Sequence, residues 1–358
     1  MATTDKEKNV SLKKTATIKD IAQRAGVSIG TVDRALNNRS RISAATKEKI
    51  LQAAMELDYK RNEFARALSV KKRVHIVAVY PTIPDYYTHY FTEGFNQAAS
   101  QLIDYGLEFS TLRTKTLNPH EILLEITKLN LDDYDGILIN ASGMELNSFI
   151  NETVDRGIAV ATFNSDLPGN KRLFFSGEDH IVGGRMSGEL AARLLRSRGT
   201  VGLFCGLPSI YAHEQRIEGF KEVLANHYPD VDISRRVNHD DIPEHLSEKA
   251  EELLFEGAIP DIIFCNSATG VSPICRAIER HKPQNKPLVI GYDYDHTLQP
   301  LIDSGTCTAL VFQNPRKQAY NALRFLFSYI YEKTGSPARE DSIIMPTIVM
   351  KYNVDICK

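Results

Sequence analysis

Five short polar runs each close a stretch of apolar, β-forming residues: Asn140 with Ser142, Asn164-Ser165-Asp166, Asn266 with Ser267, Asp293, and Gln313. In open parallel sheets ligands bind beyond the carboxyl ends of the strands, so side chains at such positions are candidates for contact with a small molecule. Amides, hydroxyls and carboxylates make paired hydrogen bonds, and Tyr80, Tyr86 and Tyr87 could lay rings over an apolar face. That inventory suits a neutral polyol. The competing role is structural: amides that tie loops together and tyrosines that pack around one.

Catalytic chemistry finds no support in the residue pattern. There is no G-x-S-x-G, P-loop or H-E-x-x-H. Gly183 to Gly188 matches G-x-x-x-x-G without the following lysine and falls inside a helical pattern, where close packing explains it. The ten histidines never stand at ligand spacing beside cysteines or carboxylates, and the five cysteines are scattered and odd in number. No metal, cofactor, disulfide or enzymatic activity is therefore expected.

These residues must be positioned by a repeating framework. From Val74 onward apolar strands alternate with amphipathic helices, the pattern of parallel sheets with crossover helices. Strands are expected at 75–80, 107–112, 136–140, 158–163, 200–205, 262–265, 288–291 and 308–312, and helices at 93–104, 181–196, 214–225 and 316–331. Eight such strands imply two sheets. No stretch approaches the roughly 18 apolar residues of a membrane span, and the first 15 residues carry no apolar segment of the kind that directs export, so a cytoplasmic, non-membrane protein is expected.

The formal charge of −2 conceals a segregation. Residues 1–73 hold 17 Lys and Arg against 8 Asp and Glu, whereas the remainder holds 26 against 37. A basic head on an acidic body fits a head that meets polyphosphate; a solvated basic tail is the alternative. After a polar tail at 1–16, Thr17-Ile18-Lys19-Asp20 reads as a helix start, and Ile18, Ile21, Ala22 and Ala25 give that helix one apolar stripe. Gly26 stops it, Val27 turns the corner, and Ser28 caps a second helix that ends at Asn37-Asn38. A third helix begins at Ser43, with Ile50, Leu51, Ala54 and Leu57 at helical spacing. Spacing alone leaves DNA binding and plain packing equally open.

The residues themselves discriminate. Thr17-Ile18-Lys19-Asp20-Ile21-Ala22, Ala25-Gly26-Val27-Ser28 and Thr31-Val32-x-Arg34-x-Leu36-Asn37 resemble the headpiece of the lactose and galactose repressor family, and Leu57-x-Tyr59-x-x-Asn62 with Ala65-Arg66-x-Leu68 resembles its approach to a hinge helix. The resemblance implies a helix-turn-helix headpiece at 17–60, a hinge at 61–73, and over 74–358 a two-lobed α/β domain of the type I periplasmic-binding-protein kind.

It further implies that the second helix lies in the major groove of double-stranded operator DNA. Ile29, Gly30 and Arg34 would then read base edges, Ser28, Thr31 and Asn37 would approach phosphates, and Thr17 would also belong to the DNA-binding surface. Arg34 retains a phosphate contact as its alternative, Ser28 a purely capping role, and Leu68, the implied minor-groove wedge, an ordinary core role. Asp33 and Gly30 depart from common members, as does Arg61 in place of a proline. In the sensing domain the resemblance places Tyr80, Tyr87, Asn140, Asp166, Arg216, Asn266, Asp293 and Gln313 in a cleft, with Arg216 in R-x-x-G-F and Asp293 in G-Y-D. Tyr320, where many members have glycine, implies altered packing and pocket size. The expected protein is a homodimeric regulator, read as a repressor, responding to a sugar or polyol. A sugar phosphate, a nucleobase and a protein co-regulator remain open as effectors, as do induction and corepression.

Overall fold

The computed structural model describes residues 18–36, 42–57, 73–82, 85–332 and 340–358. The readings of Thr17, Asn37 and Leu68, of the N-terminal tail and of nearly all the hinge segment fall outside these residues. The chain divides into two compact units, Met1–Val70 and Lys71–Lys358.

In the smaller unit α1 (Ile18–Ala25), α2 (Ile29–Leu36) and α3 (Ala44–Glu56) close around Ile21, Ala25, Val32, Ala35 and Ile50, all nearly inaccessible to solvent. Two-turn helices are marginal alone, so this shared apolar centre holds them. Gly26 ends α1 at φ 66°, a left-handed position that glycine takes without steric cost. Ser43 caps α3 by accepting a hydrogen bond from the Thr46 amide at 3.2 Å. An exposed Arg24 to Glu56 ion pair at 2.7 Å joins α1 to α3 and adds little beyond orientation.

The larger unit contains two six-stranded sheets. The first runs β11-β5-β4-β3-β1-β2, from β1 (Val74–Pro81), β2 (Leu107–Thr114), β3 (Gly136–Ile139), β4 (Ala159–Phe163), β5 (Phe175–Gly177) and β11 (Ser342–Ile343). The second runs β12-β10-β9-β8-β6-β7, from β6 (Gly199–Cys205), β7 (Val231–Asn238), β8 (Ile262–Cys265), β9 (Leu288–Tyr292), β10 (Ala309–Phe312) and β12 (Thr347–Val349). Among the described strands only β12 pairs antiparallel. Setting aside the late edge strands, both sheets share one order, with the first strand of each lobe inside the second.

Helices cover both faces: α4 (Asp85–Leu102), α5 (Pro119–Ile126) and α6 (Leu146–Asp155) follow strands of the first lobe, and α7 (His180–Leu194), α8 (Tyr211–His227), α9 (Pro243–Phe255), α10 (Val271–His281) and the short α11 (Gln299–Asp303) belong with the second. Strands covered on two sides lose any polar face, and β3 and β8 are buried along their whole length. The chain crosses between lobes three times. It leaves the first after β5, returns from β10 through α12 (Pro315–Glu332), whose Ala319, Leu323 and Leu326 enter the first-lobe core, and crosses again between β11 and β12.

All eight expected strands are present, shifted by a residue or so at their ends. β5, β7, β11 and β12 are additional. α4 starts at Asp85 rather than at 93, because Tyr90 and Phe91, whose neighbours Tyr86 and Tyr87 read as loop rings, bury on its inner face. The glycine-rich run does lie in a helix: a Cβ on Gly184 would come within 2.1 Å of the Arg216 carbonyl oxygen, and one on Gly219 within 2.1 Å of that of Ile181, so α7 and α8 meet backbone to backbone. No helix among the described residues is long and apolar enough to cross a membrane.

Candidate functional site

Within the smaller unit, α2 turns Val32 and Ala35 inward, which leaves Ile29, Gly30 and Arg34 on the outer face. Ile29 is 53% exposed. A Cβ on Gly30 would meet nothing nearer than the Ser28 hydroxyl at 3.9 Å, so a partner's backbone or base could approach closely. The Ser28 hydroxyl accepts from the Thr31 amide at 3.2 Å and lies 2.8 Å from the Thr31 hydroxyl, which makes the capping role of Ser28 real.

Between the two lobes of the larger unit lies a cleft. From the first lobe Tyr87, Asn140, Ser142 and Asn164 face it; from the second, His213, Arg216, Asp241, Ser267, Thr269, Asp293 and Gln313. Asn164 and Asp293 both take left-handed backbone angles, φ 62° and 57°, immediately after their strands, a conformation that short polar side chains tolerate. A continuous network results. The Asn140 amide donates to Asn164 Oδ1 at 3.0 Å; Asn164 Nδ2 donates to the Tyr87 hydroxyl at 2.7 Å and to Gln313 Oε1 at 3.1 Å; and Gln313 Nε2 donates to Asp293 Oδ2 at 2.7 Å. Asn164 thus joins the lobes through Gln313. A second tie is the Tyr211 amide donating to the Ser142 carbonyl at 3.0 Å.

Arg216 is 4% exposed. Its Nη1 donates to the Asn266 carbonyl at 3.0 Å, its Nη2 to Glu178 Oε2 at 3.2 Å, and its guanidinium lies 3.8 Å from the centre of the Tyr292 ring. Glu178, on the crossover out of the first lobe, also accepts from the Tyr292 hydroxyl at 3.0 Å. Burial opposes its charged form, but Arg216 and then His180 outweigh burial and hold the carboxyl below its ordinary range. Asp293 behaves oppositely. Burial, only partly offset by Arg216 and Gln313, pushes its carboxyl up to about 7. Burial likewise drives His213 down to about 4 against the pull of Asp241. Two buried polar atoms on residues facing the cleft have no hydrogen-bond partner: Arg216 Nε and Ser142 Oγ.

Five of the eight expected ligand residues therefore face the cleft: Tyr87, Asn140, Arg216, Asp293 and Gln313. Tyr80 does not; its ring is 2% exposed among Phe91, Phe95 and Phe163 of the first-lobe core. Asp166 does not either, being held by Arg172 at 2.5 Å and by the Thr162 hydroxyl at 2.6 Å. Asn266 sits behind the site, where its amide accepts from Gly206 and donates to the His213 carbonyl while its own carbonyl holds Arg216. Tyr320 leaves the pocket's size untouched, since its hydroxyl reaches Gln101 at 2.7 Å away from the cleft. Sequence reasoning missed Glu178, Asp241 and Gln318, whose Oε1 accepts from Asn164 Nδ2 at 2.9 Å. Asp241 follows β7, and with that strand unrecognised nothing marked the residue as a strand end.

Ser267, His239 and Asp241 lie together but in an arrangement unlike a nucleophile and its base. The Asp241 amide donates to His239 Nδ1 at 3.3 Å, so the proton of the neutral ring is on Nε2, which faces Ser267 Oγ at 3.5 Å and cannot take its proton. Among the described residues no group of three His, Cys, Asp or Glu could hold a metal ion.

Comparison with known proteins agrees with both units. Residues 17–62 match the family described as bacterial regulatory proteins, lacI family, and residues 76–334 match the periplasmic binding protein domain. The probable HTH-type transcriptional repressor ExuR of Bacillus subtilis (strain 168) is 28% identical over 256 residues, spanning 70% of this chain and 73% of that protein. The HTH-type transcriptional repressor PurR of Histophilus somni (strain 129Pt) is 26% identical over 355 residues, 95% of this chain and 99% of that one. Among solved structures, GanP, a glucose-galactose binding protein from Geobacillus stearothermophilus, superposes on 79% of this chain and 99% of its own with a TM-score of 0.71 at 22% identity, a likeness of fold.

Proposed function

This chain belongs to the lacI family of bacterial regulatory proteins and carries a periplasmic binding protein domain, and from that premise we propose that it represses carbohydrate-utilisation genes under control of a sugar or polyol held between its lobes. The observation that carries the reading is the cleft itself. Arg216 and Ser142, which line it from opposite lobes, each hold a buried polar atom without a partner, and the Tyr87, Asn140, Asn164, Gln313 and Asp293 network supplies amides, a hydroxyl and a carboxylate. A polyhydroxylated molecule would satisfy the orphaned atoms while bridging the lobes.

In this reading α2 enters the major groove, Arg34 takes a guanine edge, Ile29 and Gly30 lie against bases, and Ser28 and Thr31 meet phosphates. Thr17, Asn37 and the wedge Leu68 complete the interface. Half-sites one turn apart require two headpieces, hence a homodimer. Effector binding shifts lobe closure, and closure changes the presentation of the hinge segments to the operator. The protein acts in the cytoplasm and has no enzymatic role.

The test is selection of bound genomic DNA by the purified protein, followed by a screen of sugars against the selected site. A short palindrome whose affinity changes with one sugar is expected. Arg34→Ala should cost about 1 to 3 kcal/mol on that palindrome and relax preference at one base pair. Uniform, purely salt-dependent binding without a preferred sequence would overturn the reading.

A further inference from the structure

The charges around the cleft do not balance. Among the described residues that line it, Arg216 is the only Lys or Arg, and its Nη2 is already paired with Glu178, whose side chain is wholly buried. Asp241 then faces the same cleft with no Lys or Arg of its own, and Asp293, whose carboxyl burial pushes up to about 7 against the pull of Arg216, adds to it as it ionises. His213 and His239 do not supply one, because burial lowers both below their ordinary range. Asp241 is built in firmly: its Oδ2 accepts from the Leu207 amide at 2.9 Å, its Oδ1 accepts from the Thr269 hydroxyl, and it is 9% exposed. The rings of Tyr87 and Phe91, which meet edge to face at 5.3 Å between centres, line the opposite side from the first lobe.

We propose that the effector is a polyhydroxylated ammonium compound of the amino-sugar class, its hydroxyls held by the amide network and its charge met by Asp241 and Asp293. The inference rests on the polyol reading above and narrows it. A buried site with net negative charge penalises an anion, tolerates a neutral molecule and favours a cation that can also lie on aromatic faces. The amides of Asn140, Asn164 and Gln313 and the hydroxyls of Ser267 and Thr269 line the same cleft for the sugar ring, which is why the site reads as one for a hydroxylated cation and not for a simple amine. Sugar phosphates and uronates are rejected on the same ground, since their charge would meet the Asp241 carboxylate, Asp293 as it ionises, and an arginine already paired with Glu178.

The experiment is calorimetry on the full-length protein with matched sets: glucose, galactose and mannose, their 2-amino-2-deoxy forms, their N-acetylated amines and their 6-phosphates. One amino form should bind about tenfold or more tighter than its hydroxyl and N-acetyl counterparts, the scale of one charge-assisted hydrogen bond, with no heat from the phosphates. In Asp241→Asn the ratio of amine to hydroxyl affinity should fall toward one. Should that variant fail to fold, the ratios in the unaltered protein still decide. Equal or tighter binding of a neutral sugar, or any binding of a phosphate, overturns the charge assignment while leaving the polyol reading in place. Silence from all four sets overturns both.

Discussion

Asp293 carries the sharpest consequence at the scale of single residues. Its carboxyl is pushed from 3.8 to about 7, chiefly by burial, with Arg216 and Gln313 opposing and Glu178 adding to the rise. A carboxyl that binds its proton more tightly in the folded state makes stability fall as pH rises from about 4 to about 7, a cost of up to about 4 kcal/mol above that window. Asp293→Asn should therefore flatten the stability profile across that range, visible as a smaller loss of unfolding free energy between acid and neutral pH; an unchanged difference between variant and parent at all pH values would contradict it. Sugar hydroxyls donate to the ionised form, so effector affinity should climb as pH rises toward about 7 and level off above it. Which residues face the cleft was partly legible. Asp293 and Gln313 each close a strand, and Arg216 stands in a recognisable run. Tyr80 and Asp166 misled because a strand buried on both faces shows no alternation to say where a side chain points, and because Arg172, six residues downstream, announces no pairing in sequence.

At the scale of elements the contact between α7 and α8 positions Arg216. With Cβ distances of 2.1 Å to opposing carbonyl oxygens, Gly184 and Gly219 leave no room for a methyl group, and backbone cannot swing aside as a long side chain can. Gly184→Ala should push the helices apart, lower stability by about 1 to 3 kcal/mol and weaken effector binding by moving the guanidinium. Gly30→Ala is the contrasting case, since its methyl group would meet only the Ser28 hydroxyl at 3.9 Å: the fold should not be destabilised, alanine being the better helix former, while operator affinity changes. Thermal unfolding with calorimetry, and DNA titration, separate the two outcomes. The long buried strands and amphipathic helices were readable from their periods. β5, β11 and β12, of two or three residues, are too short to carry a period, and β7 hides because an edge strand reading Val-Asp-Ile-Ser-Arg-Arg-Val-Asn presents polar groups to solvent on most positions.

For the whole molecule the question is how a basic unit that meets DNA and an acidic unit that meets a small molecule influence each other. The larger unit has structural means of responding as one body, because Glu178 links Arg216 to the first crossover between lobes, and Asn164 ties the first lobe to Gln313 beside the second. An effector that engages Arg216 and Ser142 therefore acts on both lobes at once. Coupling of this kind is reciprocal: the factor by which effector changes operator affinity must equal the factor by which operator changes effector affinity. Both arms are measurable, by operator titration with and without sugar and by sugar titration with and without operator, and the two factors should agree at about 5 to 150-fold. Arg216→Ala should bring both factors to one together while operator affinity without effector stays at the parent value, since α1, α2 and α3 form their own core. A variant that lost sugar binding and DNA binding alike would place Arg216 in the stability of the whole chain, and two unequal factors in the parent protein would mean that the two titrations do not report one equilibrium between the same species.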